Sequence, residues 1–207
     1  MPSPPLPTRL TDRKRAAILD AAVAEFRQSG YEATSMDRVA ARAGASKRTV
    51  YNHFPNKEAL FAQILQQMWE ASSDSADVAY RGDRPLRQQL LERVRQKLEV
   101  LNDKNFVDLA RVVVATAIHA PGRVQDMITR LGEREETLTH WVRAACEDGR
   151  LATDDPAFAA MQLQALLKGF AFWPQVAHDA PPLSKARCQQ VASSTVDMFL
   201  ACYARER

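Results

Sequence analysis

The 207-residue sequence predicts an all-α fold on three observations. Apolar residues recur at helical spacing, capping residues and helix breakers bound those stretches, and no window alternates apolar and polar residues as a half-buried strand does. Ile18, Leu19, Ala22, Val23 and Phe26 form the first stripe, in a helix expected over residues 12–28 and stopped by Gly30. Thr34 and Asp37, spaced as a capping pair, open a short second helix ended by Gly44. Ser46 caps a third helix of about eight residues, limited by Pro55 because proline disfavours helical geometry at Phe54. Asn56 caps a fourth, with Leu60, Phe61, Ile64, Leu65, Met68 and Trp69 facing inward.

After a polar run over residues 72–84, Leu86, Leu90, Leu91, Val94, Leu98 and Leu101 mark a helix that begins past Pro85. Phe106, Leu109, Val112, Val113, Ala117 and Ile118 mark another. A long helix is expected from Val124 through Trp141 to near Gly149. Asp155 and Pro156 then supply the cap and first turn of the next, with a kink expected at Pro174. The last helix spans residues 184–203.

Hydrophobic residues at 46% and charged ones at 26% fit a folded soluble chain and exclude collagen-like and disordered classes. Uncharged stretches such as residues 112–122 fall far short of the roughly 20 apolar residues a membrane span requires. Residues 1–11 contain no apolar run behind a basic start, so they read as a Pro-rich flexible arm rather than a secretory signal. Cys146, Cys188 and Cys202 form no C-x-x-C pair, which argues against a disulfide framework or a zinc site and suits a reducing cytoplasm. No phosphate loop, catalytic elbow or metal-ligand cluster points to an enzyme, a cofactor or a metal. Residues 1–57 hold ten Lys and Arg against five Asp and Glu, whereas the remainder holds 18 against 20. The basic end is expected to meet a polyanion.

The second and third helices and their Gly-containing turn have the form of a helix-turn-helix. At 100° per residue, Lys47, Tyr51, Arg48 and Asn52 occupy an arc of roughly 140°, and Val50 and Phe54 lie opposite it. Lys and Arg donate to guanine O6 and N7, Asn pairs with adenine, and a Tyr hydroxyl reaches phosphate. The exposed arc is therefore expected to read bases.

The run T-S-M-D-R-V-A-A-R-A-G-A-S-K-R-T-V-Y-N-H-F-P-N-K-E-A-L-F, residues 34–61, resembles the DNA-binding signature of the TetR family of bacterial transcriptional regulators. The resemblance implies a homodimeric repressor on a palindromic double-stranded DNA operator, released by a small-molecule effector. It divides the chain into the arm, a DNA-binding domain over residues 12–70 and a regulatory, dimerising domain over residues 71–207. Carried over by position, Thr34 and Ser35 meet phosphate, Tyr51 and His53 meet the DNA backbone, and Lys57 pairs with a phosphate. Lys47, Arg48, Thr49 and Asn52 then lie nearest the bases. Because an ammonium beside a helix N-terminus is unfavourable with the dipole, a phosphate is expected to relieve Lys57. Arg9, Arg13, Lys14 and Arg15 add backbone contacts through the arm.

The stretch Gly169-Phe-Ala-Phe-Trp-Pro is similar to the AefR-type variety of C-terminal domain. The family likeness implies that the last two long helices pair across a dyad, with Phe158, Met161, Ala165, Leu166, Gly169, Phe199 and Cys202 as the apolar contact. It also implies an effector cavity, with Phe106, His119, Trp141, Phe170 and Trp173 as lining that favours an apolar or aromatic ligand. The connection over residues 69–85 is the expected lever between them. The competing reading is a thiol-based redox sensor of the same fold. Cys188 and Cys202 would sit about 21 Å apart along one helix, so any disulfide would join two subunits.

Overall fold

A computed structural model describes residues 10–72, 79–131 and 137–205. Among them are eleven helices: α1 (Leu10–Ala33), α2 (Met36–Arg42), α3 (Lys47–His53), α4 (Lys57–Ser72), α5 (Leu86–Leu101), α6 (Lys104–His119), α7 (Pro121–Leu131), α8 (Thr137–Glu147), α9 (Pro156–Ala171), α10 (Trp173–His178) and α11 (Lys185–Tyr203). No strand occurs among the described residues, and none of their helices is long and apolar enough to cross a membrane. Two compact units result, Met1–Gln67 with Asp108–Leu131, and Met68–Val107 with Gly132–Arg207. Two of the three boundaries fall inside α4 and α6, and the third at the end of α7.

In the first unit, the stripe on α1 buries Ile18, Leu19, Ala22 and Phe26. Gly30 breaks the helix with φ 76° and ψ 166°, and one further turn follows it to Ala33. A non-glycine residue pays a steric penalty at that φ, which is why the stop falls there. Phe26 stacks on Tyr31 at 5.3 Å, and Phe61 meets both rings edge-on at 6.1 and 5.2 Å. Burying a ring such as Phe61 contributes about 1.5–3 kcal/mol, and this aromatic cluster anchors α4 on α1. Glu25 is buried and reaches α2, where Arg42 Nε donates to Oε1 at 2.6 Å. Arg38 Nε stands 2.9 Å from Oε2, at ion-pair distance but off hydrogen-bond alignment. Arg27 pairs with Asp108 at 2.7 Å and ties α1 to α6.

In the second unit α11 lies along α5, and α9 packs against both α8 and α11. Leu90, Val94, Leu98, Leu163, Leu167, Val191, Val196 and Phe199 fill its interior. Buried amides hold the joints. Gln89 Nε2 donates to the Arg81 and Arg84 carbonyls at 2.8 and 3.0 Å and fixes the turn before α5. Asn102 pairs with both backbone groups of Leu183, at 2.8 and 2.9 Å, and so fastens the α10–α11 loop to the end of α5.

Two expectations change, and a third falls partly outside the described residues. The expected kink at Pro174 is a break at Phe172, with Pro174 in the first turn of α10, where its missing N–H costs nothing. The long helix expected from Val124 to Gly149 is assigned as α7 and α8, and residues 132–136 lie outside the described residues. The second helix is capped by Ser35, whose Oγ accepts from Arg38 N at 3.3 Å, and not by Thr34. The arm up to Arg9 and residues 73–78 of the expected lever also lie outside the described residues.

Candidate nucleic-acid interface

The turn from α2 to α3 is built by backbone chemistry. Gly44 takes φ 61°, and the N–H groups of Gly44 and Ala45 donate to the Ala41 and Ala40 carbonyls at 3.3 and 3.0 Å, a Schellman closure that needs a residue tolerant of positive φ. Ser46 then caps α3, its Oγ accepting from Thr49 N at 3.1 Å. Seven residues are too few for a helix to persist alone. Val50 and Phe54, 0% and 3% exposed, hold it on the core. Arg15 reinforces that anchor, its guanidinium lying 5.2 Å from the Phe54 ring centroid and donating to Gln63 Oε1 at 2.5 Å. Arg15 thus belongs to the packing of α1, α3 and α4, whereas Arg13 and Lys14 are exposed as a DNA-facing arm would require.

With Val50 and Phe54 inward, Lys47, Arg48, Tyr51 and Asn52 are exposed on the opposite side of α3. Arg48 and Asn52 have no hydrogen-bond or ion-pair partner among the described residues. Tyr51 is 47% exposed. Lys47 is held by Asp37, with Nζ to Oδ2 at 2.6 Å, and that hydrogen bond, aided by the carboxylate charge, raises its pKa above the ordinary lysine value. Thr49 is half-buried and its hydroxyl shares a 2.8 Å bond with Ser46 Oγ. His53 is half-buried beside Phe54, with ring centroids 6.4 Å apart.

Thr34 is 4% exposed and its hydroxyl donates to the Gly30 carbonyl at 2.8 Å, so its side chain braces the α1–α2 turn while Ser35 is exposed. Lys57 finds its compensation inside the chain. Its ammonium donates to the Tyr31 and Glu32 carbonyls at 2.7 and 3.0 Å and lies 4.5 Å from the Tyr31 ring centroid. A phosphate is therefore not required to relieve it, and one of the three ammonium protons remains for such a contact. Neither Asp37 nor the Lys57–Tyr31 contact was legible as such, because each joins residues distant in sequence.

An N-terminal family model described as bacterial regulatory proteins, tetR family, matches residues 18–64, and one described as the AefR-like transcriptional repressor C-terminal domain matches residues 88–205. The chain belongs to the TetR family. This TetR-family regulator is 30% identical over 178 residues to the HTH-type transcriptional regulator RutR of Escherichia coli K12, covering 82% of this chain and 79% of that one. The crystal structure of a TetR-family regulator from Pseudomonas syringae pv. tomato DC3000 superposes with a TM-score of 0.86 at 51% identity, over 96% of this chain and all of that one. The flavonoid-responsive regulator FrrA follows at 0.68 and 26%, over 94% and 99%. The chain is thus a DNA-binding transcription regulator of a ligand-responsive family, and its relatives are regulators rather than enzymes.

In the regulatory part of this TetR-family chain, the residues expected at a dimer contact separate. Phe158, Met161, Ala165, Gly169 and Cys202 are exposed and Leu166 is half-buried, all on α9 and α11. Phe199, 3% exposed, belongs instead to the interior of its own chain, where its ring lies 4.9 Å from Tyr203; its neighbour Met198 is exposed. Of the residues expected to line a ligand cavity, Phe170 on α9 and Trp173 on α10 are exposed, and His119 is exposed on α6. Phe106 packs 6.2 Å from Phe172. Trp141 is 2% exposed, meets Tyr80 edge-on at 5.5 Å, and its indole N–H has no acceptor among the described residues. A cavity of about 500 Å3 lies elsewhere in this unit, lined by Arg84, Leu86, Gly149, Arg150 and Arg205 among others, and by none of the five. Burial pushes the Cys146 thiol up, away from reactive thiolate, and Cys188 accepts weakly from Asn102. Among the described residues no group of His, Cys, Asp and Glu could hold a metal ion.

Proposed function

We propose that this regulator is a repressor that binds a palindromic operator as a homodimer and leaves it when a small aromatic or apolar effector binds. The observation that carries the reading is the α3 face, where Arg48, Tyr51 and Asn52 are exposed opposite the buried Val50 and Phe54. Arg48 and Asn52, with Lys47 and Thr49, read base edges in the major groove. Ser35, Tyr51, His53, Lys57 and the backbone at Thr34 contact phosphates and set the register. So short a reader needs two copies on a two-fold site.

The partner surface is drawn from the exposed large apolar residues of α9 and α11, Phe158, Met161, Phe170 and Met198, together with Ala165, Leu166, Gly169 and Cys202 on the same two helices. Large apolar residues left exposed on neighbouring helices mark a candidate interaction surface. Residues 12–70 act as the DNA-binding domain and residues 71–207 as the regulatory one. The effector reading draws support from Trp141, whose buried indole N–H has no acceptor among the described residues, and from the flavonoid response named for FrrA. Effector binding favours a dimer in which the two α3 helices depart from the spacing of about 34–36 Å that successive grooves demand. Such a regulator works in the cytoplasm, on the nucleoid.

Selection of bound fragments from random duplex DNA, repeated with a panel of aromatic metabolites, tests all of this. A two-fold symmetric product lost in the presence of one metabolite is the expected result. Equal binding to every duplex would overturn the proposal.

A further inference from the structure

The α2–α3 turn brings opposite charges together on the face assigned to DNA. Lys47 Nζ lies 2.6 Å from Asp37 Oδ2, with side chains 68% and 54% exposed. Exposed pairs of this kind add little to stability. Their consequence lies in what each charge is free to touch. Of the four outward groups on α3, Lys47 alone is held by a carboxylate; Arg48 and Asn52 have no partner among the described residues.

An ammonium is a compact point charge that pairs with any phosphate. Every phosphate neutralised adds affinity for all duplexes alike. Resting on the DNA-binding reading above, we infer that Asp37 is a specificity-determining residue whose carboxylate withholds Lys47 from phosphates that any duplex offers. Two effects act in this direction. Moving Lys47 onto a phosphate leaves Asp37 uncompensated beside a polyanion, a like-charge juxtaposition of the kind that rejects wrong partners. On the operator the pair does not have to separate, because the Lys47 ammonium has three protons and can donate one to guanine while another stays on Asp37. Non-specific binding is therefore lowered more than operator binding.

The test titrates the full-length chain and its Asp37→Asn variant, by fluorescence anisotropy, against the duplex recovered by selection and against a scrambled duplex of equal composition. With Asn at position 37 the scrambled duplex binds about three- to tenfold tighter between about 50 and 300 mM salt, its log–log salt slope steepens by about 0.9, and operator affinity changes little. Asp37→Ser behaves in the same way, and Asp37→Glu, which keeps the charge, stays near wild type. In a Lys47→Ala background the gain from Asp37→Asn largely disappears. An unchanged scrambled-duplex affinity and slope would overturn the inference. So would an equal gain in the Lys47→Ala background, which is simple repulsion without a tether. A wild-type chain with no preference between the two duplexes overturns the DNA-reading proposal and this inference with it. A specific wild type with an unaltered ratio in Asp37→Asn overturns the inference alone.

Discussion

The ammonium of Lys57 donates to the carbonyl oxygen of Tyr31 at 2.7 Å and lies 4.5 Å from the centroid of the same residue's ring. One lysine therefore fastens the start of α4 to the end of α1 while keeping a proton available to DNA. Lys57→Met is expected to lower stability by about 1 kcal/mol, discounted for partial exposure, and to flatten the salt slope for every duplex by about 0.9. Thermal melts and salt titrations read the two effects separately. A shifted melt with an unaltered slope would reduce Lys57 to a structural peg.

Arg48 and Asn52 make no intramolecular bond that their loss would break. Arg48→Ala and Asn52→Ala should each weaken operator binding by about 1–3 kcal/mol, leave the melting temperature within a degree or so, and relax preference at one base position. Binding assays on single-base operator variants check this. A uniform loss across all variants would assign the residue to the phosphates instead.

Glu25 is a buried carboxylate facing two guanidiniums, Arg38 and Arg42. Glu25→Ala strips both of their counter-charge and loosens α2 from α1. The expected loss is about 1–3 kcal/mol, below that of a fully buried pair because both arginines are partly exposed. Urea denaturation measures it, and a variant as stable as wild type would show that packing alone positions α2.

Met161 and Phe199 should respond in opposite ways. Met161→Glu places a charge on the exposed α9 face and should convert a dimer to a monomer with little change in secondary structure. Phe199→Ala hollows the core and should cost about 3–5 kcal/mol of stability. Native mass spectrometry and melting curves distinguish these. A Met161→Glu protein that stays dimeric would move the interface elsewhere.

Much of the fold was legible because its signals are local. Ser46 capping Thr49, Asn56 accepting from Ala59 N and Asp155 accepting from Phe158 N are contacts over three residues, and Gly44 stops α2 by its own backbone. The outward arc on α3 followed from 100° per residue and two apolar anchors. What escaped were pairings across loops. Asp37 reads as a helix-start residue and Lys47 as a DNA ligand until the turn sets them 2.6 Å apart. Thr34 likewise reads as a cap, because sequence spacing cannot show that its hydroxyl turns back to Gly30.

Helical period, cap chemistry and charge distribution thus specified by themselves that this chain is all-α with a basic end, and the resemblance of residues 34–61 to the TetR signature added the helix-turn-helix. Tertiary structure decided which apolar residues stay inside and which remain for a partner. Met198 and Phe199 are adjacent and similarly apolar, yet one is exposed and the other buried. Hydrophobic burial has no direction of its own, so a helix with apolar residues on more than one side acquires an inside only when neighbouring helices cover part of it.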